Sequence, residues 1–397
     1  MQILEISRLQ DLRKVMQEIR VDPWGIKIML PKAITHLLRI NSLSNISANI
    51  LKQEMLSLGG DAALNRDALT GRAKKTDCLL IGNLAQFNRL FEKLKLQPFG
   101  LGKLSVEISA ALSNYNHDKF ILRLGRYKLN LGSRTHIMGI VNITADSFSG
   151  DGLYKQGQSP SGTVPVVEKM IKDGADIIDI GGESSRPGAK PVSVKEEIKR
   201  AVPVIRTLAR LIKVPLSIDT YKPEVAKSAL DNGATLVNDI SGLKDPAMLK
   251  LVSRYKAAVV IMHMKGSPLD MQRNPRYTNL IDEITRFLKI RIEQAQAAGI
   301  GEDSLIIDPG LGFGKTLEHN FQILKRLSEF KVLGKPILVG PSRKSFIGKI
   351  LKCGPKERLF GTVSACVLAA RNGARILRVH DVRAIKEALK VYEAIRL

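Results

Sequence analysis

The chemistry-bearing residues of this 397-residue chain recur in one setting, directly after a short apolar, β-rich run. The clearest case is Ile306-Ile307-Asp308, followed by Pro309-Gly310-Leu311-Gly312-Phe313-Gly314-Lys315. An aspartate that closes an apolar run is costly to bury without a partner. The glycines after it allow close backbone approach. A lone Asp-Pro-Gly reads equally well as an ordinary strand-to-helix turn, but seven other runs end in polar groups too. They deliver Asn142 with Thr144, Asp146 and Phe148; Glu183 with Ser184, Ser185, Arg186 and Pro187; Asp219 with Thr220; and Asn238 with Asp239. They also deliver His263 with Met264 and Lys265; Gly340 with Ser342, Arg343, Lys344 and Ser345; and Arg378 with His380 and Asp381. Loop polarity accounts for one or two such ends, not for eight.

Two groups sort by charge. Asp219, Asn238 and Asp308 are acceptors suited to the N–H edge of a flat heterocycle, since an ionised carboxylate accepts two hydrogen bonds from an amidine-like edge. Two aspartates and an asparagine are also hard-cation ligands, so a metal site is the competing reading. Arg186, Lys344, Arg378 and His380 form the second group and suit a phosphate or diphosphate. No Gly-x-Ser-x-Gly elbow and no His-Glu-x-x-His pair is found. A diphosphate leaving group needs mainly its developing charge neutralised, and a weakly basic amine could then be the nucleophile.

These groups need elements to position them. From Thr135 onward, β-rich runs alternate with amphipathic helical patterns. The strands expected are Ile137–Val141, Ile177–Ile180, Leu216–Ile218, Leu236–Val237, Ala258–Ile261, Leu305–Ile307, Ile337–Val339 and Ile376–Val379. Eight strands, each followed by a helix over about 260 residues, predict an α/β fold, a (β/α)₈ TIM barrel with all eight strand ends on one rim. A doubly wound open sheet would carry a glycine-rich nucleotide loop after its first strand, and none is seen. Before the barrel, residues 120–132 alternate on both sides of Gly125 and predict a β-hairpin.

Residues 1–115 read as a separate small α/β domain, and residues 116–397 as the barrel preceded by its hairpin. Ile26–Leu30, Leu38–Ile40 and Cys78–Ile81 are strand candidates; Ser44–Ser57, Leu84–Leu94 and Leu101–Leu112 are helix candidates. Met1–Arg20 reads as an amphipathic helix rather than a secretory signal. No catalytic constellation appears in this domain, and Trp24 and His36 read as packing residues.

The totals set the class. Hydrophobic residues make up 44% of the chain and charged residues 25%, an ordinary soluble composition. No apolar run is long enough to span a bilayer. Three scattered cysteines, Cys78, Cys353 and Cys366, fit neither a disulfide framework nor a zinc site, so a reducing cytoplasm is expected. The formal charge of +24 is the unusual total. Residues 1–131 hold 20 of the 62 Lys and Arg and 11 of the 38 Asp and Glu, so the excess is spread along the chain. A diffuse field that attracts phosphorylated substrates fits this better than a specific nucleic-acid surface.

From about Phe120 to the C-terminus the chain closely resembles the dihydropteroate synthase family of pterin-binding proteins. MGIVNITADSFS, DIGGESSRPGA, SIDT, VNDISG, DPGLGFGK, SRKSFIG and RVHDV, with Met262-His263-Met264, occur in the family's order. The resemblance implies an enzyme that condenses 6-hydroxymethyl-7,8-dihydropterin diphosphate with 4-aminobenzoate, with Mg²⁺ assisting. It implies pterin contacts from Asp219, Asn238, Met264, Asp308, Phe313, Gly340 and Lys344, with Asp219, Asp308, Lys344 and Arg378 carrying catalysis. Diphosphate would be held by Asn142, Arg378 and His380, with Asn142 near the metal. Aminobenzoate would meet Phe148, Ser185, Arg186, Pro187, Phe313 and Ser345. Sulfonamide-type inhibitors and a homodimer through the later helices are further implications. The chain departs from the family pattern at Ala145, Gly150, Asp151 and Ser185, and residues 1–115 lie outside that pattern.

Two alternatives stand beside this: a folate-dependent methyltransferase of the related pterin-binding barrels, which shares the strand-end Asp and Asn, and a non-catalytic pterin binder. The methyltransferase has no need of Ser342-Arg343-Lys344-Ser345 or Arg378-Val379-His380, because its substrate lacks a diphosphate. A basic nucleic-acid-binding or assembly protein on a barrel scaffold is a third reading, recognisable by salt-dependent DNA affinity without pterin binding.

Overall fold

The computed structural model describes residues 1–143 and 160–397, apart from Glu5, Ser7, Arg8, Pro187 and Leu397. The chain divides into two compact units, Met1–Ser113 and Asn114–Leu397.

The first unit holds a three-stranded antiparallel sheet of β1 (Thr35–Ser44), β2 (Asp61–Leu64) and β3 (Lys75–Asn83), in the order β1-β3-β2. Its core joins Leu80 of the sheet to Leu51, Met55, Phe87, Leu90, Leu94, Leu101 and Ile108 of three helices. Two of those helices start where side chains satisfy orphan N–H groups of the first turn. Ser44 caps Asn45–Ser57, and Asn83 with Gln86 forms a capping box on Leu84–Lys95. The strand expected at Ile26–Leu30 is instead the helix Pro23–Met29. Asp22 accepts from the Trp24 N–H at 2.8 Å, and Pro23 sits where a helix tolerates it best. A local cap overrides a short run of four apolar residues interrupted by Lys27.

The second unit opens with a hairpin, β4 (Phe120–Leu124) and β5 (Tyr127–Leu131), turning at Gly125 with φ 59°. Eight parallel strands follow: β6 (His136–Asn142), β7 (Ile177–Gly181), β8 (Leu216–Asp219), β9 (Leu236–Asp239), β10 (Ala258–Met262), β11 (Leu305–Asp308), β12 (Ile337–Val339) and β13 (Ala374–Val379). They close into a barrel, with β13 pairing β6, and helices run outside. Strands buried on both faces need near-continuous apolar runs, which is what β7 and β10 supply.

Two apolar layers result. The outer layer lies between strands and helices and includes Ile137, Ile178, Ile205, Val259, Ile307 and Leu377. The inner layer holds Met138, Ile177, Leu236, Val260, Ile306, Leu338 and Ile376, and the hairpin's Leu122, Leu124 and Leu131 pack into it. The hairpin therefore plugs the N-terminal end of the barrel. Polar side chains are left to gather at the other end, where TIM-barrel sites form.

Candidate active site

The polar rim is a connected set rather than a ring of separate strand ends. Asp219 closes β8 and its Oδ2 accepts from Arg378 Nη2 at 2.6 Å. Arg378, on β13, also donates from Nε to Asp179 Oδ2 at 2.6 Å. Asn238, on β9, donates from Nδ2 to that same Asp179 oxygen at 3.1 Å. Asp179 is fully buried, inside an otherwise apolar strand, and Asp219 and Asn238 are buried as well. Four strands are thereby joined through two carboxylates, one amide and one guanidinium.

Asp308 ends β11, and its Oδ1 accepts the Gly310 N–H at 2.7 Å. The following glycine loop lies hard against the end of β10. A Cβ on Gly310 would stand 2.0 Å from the His263 carbonyl oxygen, and one on Gly314 2.3 Å from that of Lys265. Under this loop Lys315 is buried, bonded to His263 and to the Phe313 carbonyl. Phe313, Met264, Met262, Met271 and Ile240 form an apolar wall, with Tyr221 packed against it. Lys344 Nζ lies 4.2 Å from the centre of the Phe313 ring.

Burial sets the charge states. It pushes the Asp219 carboxyl up to about 7 even with Arg378 beside it. It pushes Asp308 up to about 6, with the Gly310 N–H pulling the other way. It draws the Lys344 ammonium down to about 8, and Arg378 adds to that. Burial also works against the Arg378 guanidinium, but Asp179 and Asp219 outweigh it and hold the group charged.

Other expected residues fall around this centre. A Cβ on Gly181 would lie 3.5 Å from Asn142 Oδ1 and 3.7 Å from Asp219 Oδ2, so both side chains border the same small gap. One on Gly340 would lie 3.7 Å from Arg378 Cβ. His380 Nδ1 is 3.0 Å from Ser342 Oγ, which also accepts the His380 N–H. Arg343 turns away from its neighbour Lys344 and makes a bidentate pair with Asp381, at 2.6 and 3.0 Å. Ser345 begins the helix Ser345–Leu351. Ser185 and the exposed Arg186 lie in the loop after β7. Phe148 and Pro187 lie outside the described residues, as do Thr144 and Asp146. Sequence reasoning passed over Asp179 and Lys315 as site residues. An acid flanked by isoleucines mid-strand was the available signal for the first.

Among the described residues no three His, Cys, Asp or Glu side chains are grouped so that they could hold a metal ion. The set suits a flat N–H-bearing ring against an apolar wall, with cations along one side.

A closed parallel barrel with buried strand-end carboxylates over an apolar wall is the site plan of a pterin-binding enzyme, and the pattern of the pterin binding enzyme family matches residues 138–380. The chain belongs, within that class, to the dihydropteroate synthase family. The dihydropteroate synthase of Synechocystis is 45% identical over 276 residues, which are 69% of this chain and 94% of that one. The crystal structure of the Yersinia pestis enzyme, solved in complex with a sulfonamide drug, superposes with a TM-score of 0.67 at 44% identity, covering 70% of this chain and 99% of that one. A Halobacterium salinarum protein named as a probable bifunctional folylpolyglutamate synthase/dihydropteroate synthase is 38% identical over 399 residues. That match covers 99% of this chain and 47% of the relative, so it runs through the first unit as well.

Proposed function

We propose that the barrel mouth carries out the family's reaction with the residues gathered there. The substrates are 6-hydroxymethyl-7,8-dihydropterin diphosphate and 4-aminobenzoate; the products are 7,8-dihydropteroate and diphosphate. The observation that carries the assignment is the single hydrogen-bonded set of Asp179, Asp219, Asn238 and Arg378 beside Asp308 and the Phe313 wall.

Asp219, Asp308 and Asn238 hold the pterin's N–H edge, while Met264, Phe313 and Gly340 line its faces and Lys344 donates to it. Arg378 and His380 meet the diphosphate. The methylene C–O bond breaks and its electron pair leaves with diphosphate. The amine nitrogen then forms the new C–N bond and gives up a proton to solvent. A pterin methylene cation between these steps is stabilised by the fixed carboxylates below it. Ser185, Arg186, Pro187, Phe148, Phe313 and Ser345 form the aminobenzoate side, and sulfonamides compete there.

Asn142 offers one neutral oxygen at the mouth, which fits a Mg²⁺ held mostly by phosphate oxygens and water. When bound, the ion supplies further neutralisation of the leaving diphosphate. The methyltransferase reading is not favoured, because Arg378 and His380 have no diphosphate to meet in it.

A homodimer through the later helices is part of the same proposal. Phe360, Val391 and Ile395 are 81%, 63% and 81% exposed, and Ile350, Leu351 and Leu368 are exposed on the same set of helices. A cytoplasmic setting is proposed with it, in keeping with three unpaired cysteines. No helix among the described residues is long and apolar enough to cross a membrane.

The test is diphosphate release by purified protein with Mg²⁺ and the pterin diphosphate, with and without 4-aminobenzoate. Pteroate formed only with the amine is the expected result. Pterin binding without pteroate would turn the reading to a non-catalytic binder.

A further inference from the structure

The loop after β7 is closed at its neck by one ammonium group. Lys222 follows Asp219-Thr220-Tyr221 at the end of β8. Its Nζ donates to Glu197 Oε2 at 2.7 Å and to the Val192 carbonyl at 2.6 Å, and pairs with Glu183 Oε2. Glu183 opens the loop and Val192 ends it. The same Glu183 oxygen accepts the Val192 N–H at 2.9 Å. Three ammonium donors thus meet three acceptors.

This is not a surface ion pair. The Lys222, Glu183 and Glu197 side chains are 13%, 10% and 1% exposed. Burial alone would lower the ammonium pKa, but the two carboxylates override it and hold Lys222 above an ordinary lysine. Gly182, just before the neck, packs closely on the helix that carries Glu197; a Cβ there would stand 3.0 Å from Glu197 Cγ. Ser185 and Arg186 lie between the two ends of the neck. On the other side, Tyr221 donates its hydroxyl to Glu183 Oε1 at 3.0 Å while packing on the Phe313 and Met264 wall. One short stretch, 219–222, therefore carries a pterin-site carboxylate and the clasp of the neighbouring loop.

We propose that Lys222 is a positioning residue for the amine subsite. It ties Glu183 to Val192 so that Ser185 and Arg186 stand where the second substrate enters. The inference rests on the assignment of that loop under the proposed function. Without the ammonium, Glu197 keeps a buried charge and the neck opens, while Asp219, Asn238 and Asp308 keep their own bonds.

The test compares full-length wild type, Lys222→Met and Lys222→Arg by steady-state kinetics at saturating pterin diphosphate, with calorimetry of pterin diphosphate binding alone. For Lys222→Met the KM for 4-aminobenzoate is expected to rise by about tenfold or more, as loss of a charge-assisted contact does. The pterin diphosphate Kd is expected to stay near wild type, and Lys222→Arg to recover part of the KM. An unchanged amine KM in a folded variant, or equal losses for both substrates, overturns the proposal. Should Lys222→Met not fold, Glu183→Gln weakens the same clasp and decides by the same comparison. A wild type that makes no pteroate overturns the functional reading instead, so the two failures are told apart.

Discussion

Arg378 Nη2 lies 2.6 Å from Asp219 Oδ2, while the same guanidinium's Nε reaches Asp179 Oδ2 at 2.6 Å. The last strand of the barrel thus supplies the counter-charge for two carboxylates on the second and third. The resemblance assigns Arg378 to catalysis and to holding the diphosphate. The geometry adds that, before substrate arrives, it neutralises the floor on which the pterin would sit. Removing it leaves two buried carboxylates uncompensated, and breaking such a pair costs about 3–5 kcal/mol. Arg378→Ala should therefore lose stability as well as turnover, read by urea unfolding beside the assay. Adding Asp179→Asn should return part of the stability and none of the turnover. A single variant as stable as wild type would show that the carboxylates are protonated or hydrated instead.

Pterin affinity should depend on pH through the same floor. Burial holds Asp308 up at about 6 and Asp219 up at about 7. A raised carboxyl keeps its proton longer, and a protonated oxygen donates where an N–H edge needs an acceptor. Affinity should rise between about pH 5 and about pH 8 and then level. The probe is 6-hydroxymethyl-7,8-dihydropterin, which has no diphosphate to titrate. Calorimetry across that range should show the lower limb flattened in Asp308→Asn. A flat wild-type profile would mean both groups ionise well below this range.

The barrel was legible because its strands obey two rules at once. Each is built on a short apolar run, and polar residues close that run or follow it within a few positions. Ile337–Val339 has the expected bounds, and the other seven strands reach one or two residues further, usually by including the polar end itself. The first unit was less legible. Asp61–Leu64 is four residues long directly after Gly59-Gly60, too short for a period to show, and the helix Pro23–Met29 was hidden by its own apolar run. At the site, Asp219, Asn238 and Asp308 announced themselves as strand-end acceptors. Asp179 and Lys222 did not, because their meaning lies in partners far along the chain. Asn238 is 59 residues from Asp179, and Val192 is 30 from Lys222. No local pattern encodes such a pairing.

The glycine loop supplies a prediction about shape rather than charge. Gly310 has φ 73°, and a Cβ on it would stand 2.0 Å from the His263 carbonyl oxygen. The left-handed backbone alone costs a side chain about 1–2 kcal/mol. The clash adds to that, since the oxygen belongs to backbone at the end of β10 and cannot rotate away. Gly310→Ala should lower the urea midpoint and weaken pterin binding together, because Asp308 Oδ1 is held by the Gly310 N–H. A midpoint equal to wild type would place the loop elsewhere.

Residues 114–397 should fold alone. That unit has its own closed barrel, its own hairpin plug and its own two apolar layers. Expressed without residues 1–113, it should unfold in one cooperative urea transition and retain turnover. An inactive but folded fragment would assign the first unit a part in catalysis.

Lys315 offers a test of burial on stability. Its Nζ lies 2.9 Å from His263 Nδ1, 3.1 Å from the His263 carbonyl and 2.9 Å from that of Phe313. Burial draws this lysine from its ordinary 10.5 down to about 7, with Asp308 pulling the other way. Between those values the unfolded chain binds a proton that the folded protein does not. Stability from this group is therefore complete above the unfolded value and is lost as pH falls through about 7. Wild type should gain stability between pH 7 and about pH 9.5, and Lys315→Met should lack that part of the gain. The comparison is of slopes, because at any single pH the methionine also leaves two carbonyls and an imidazole nitrogen without their donor. Urea unfolding of both proteins at both pH values reads the difference. Equal slopes would mean that the ammonium stays charged throughout, fully satisfied by its three acceptors.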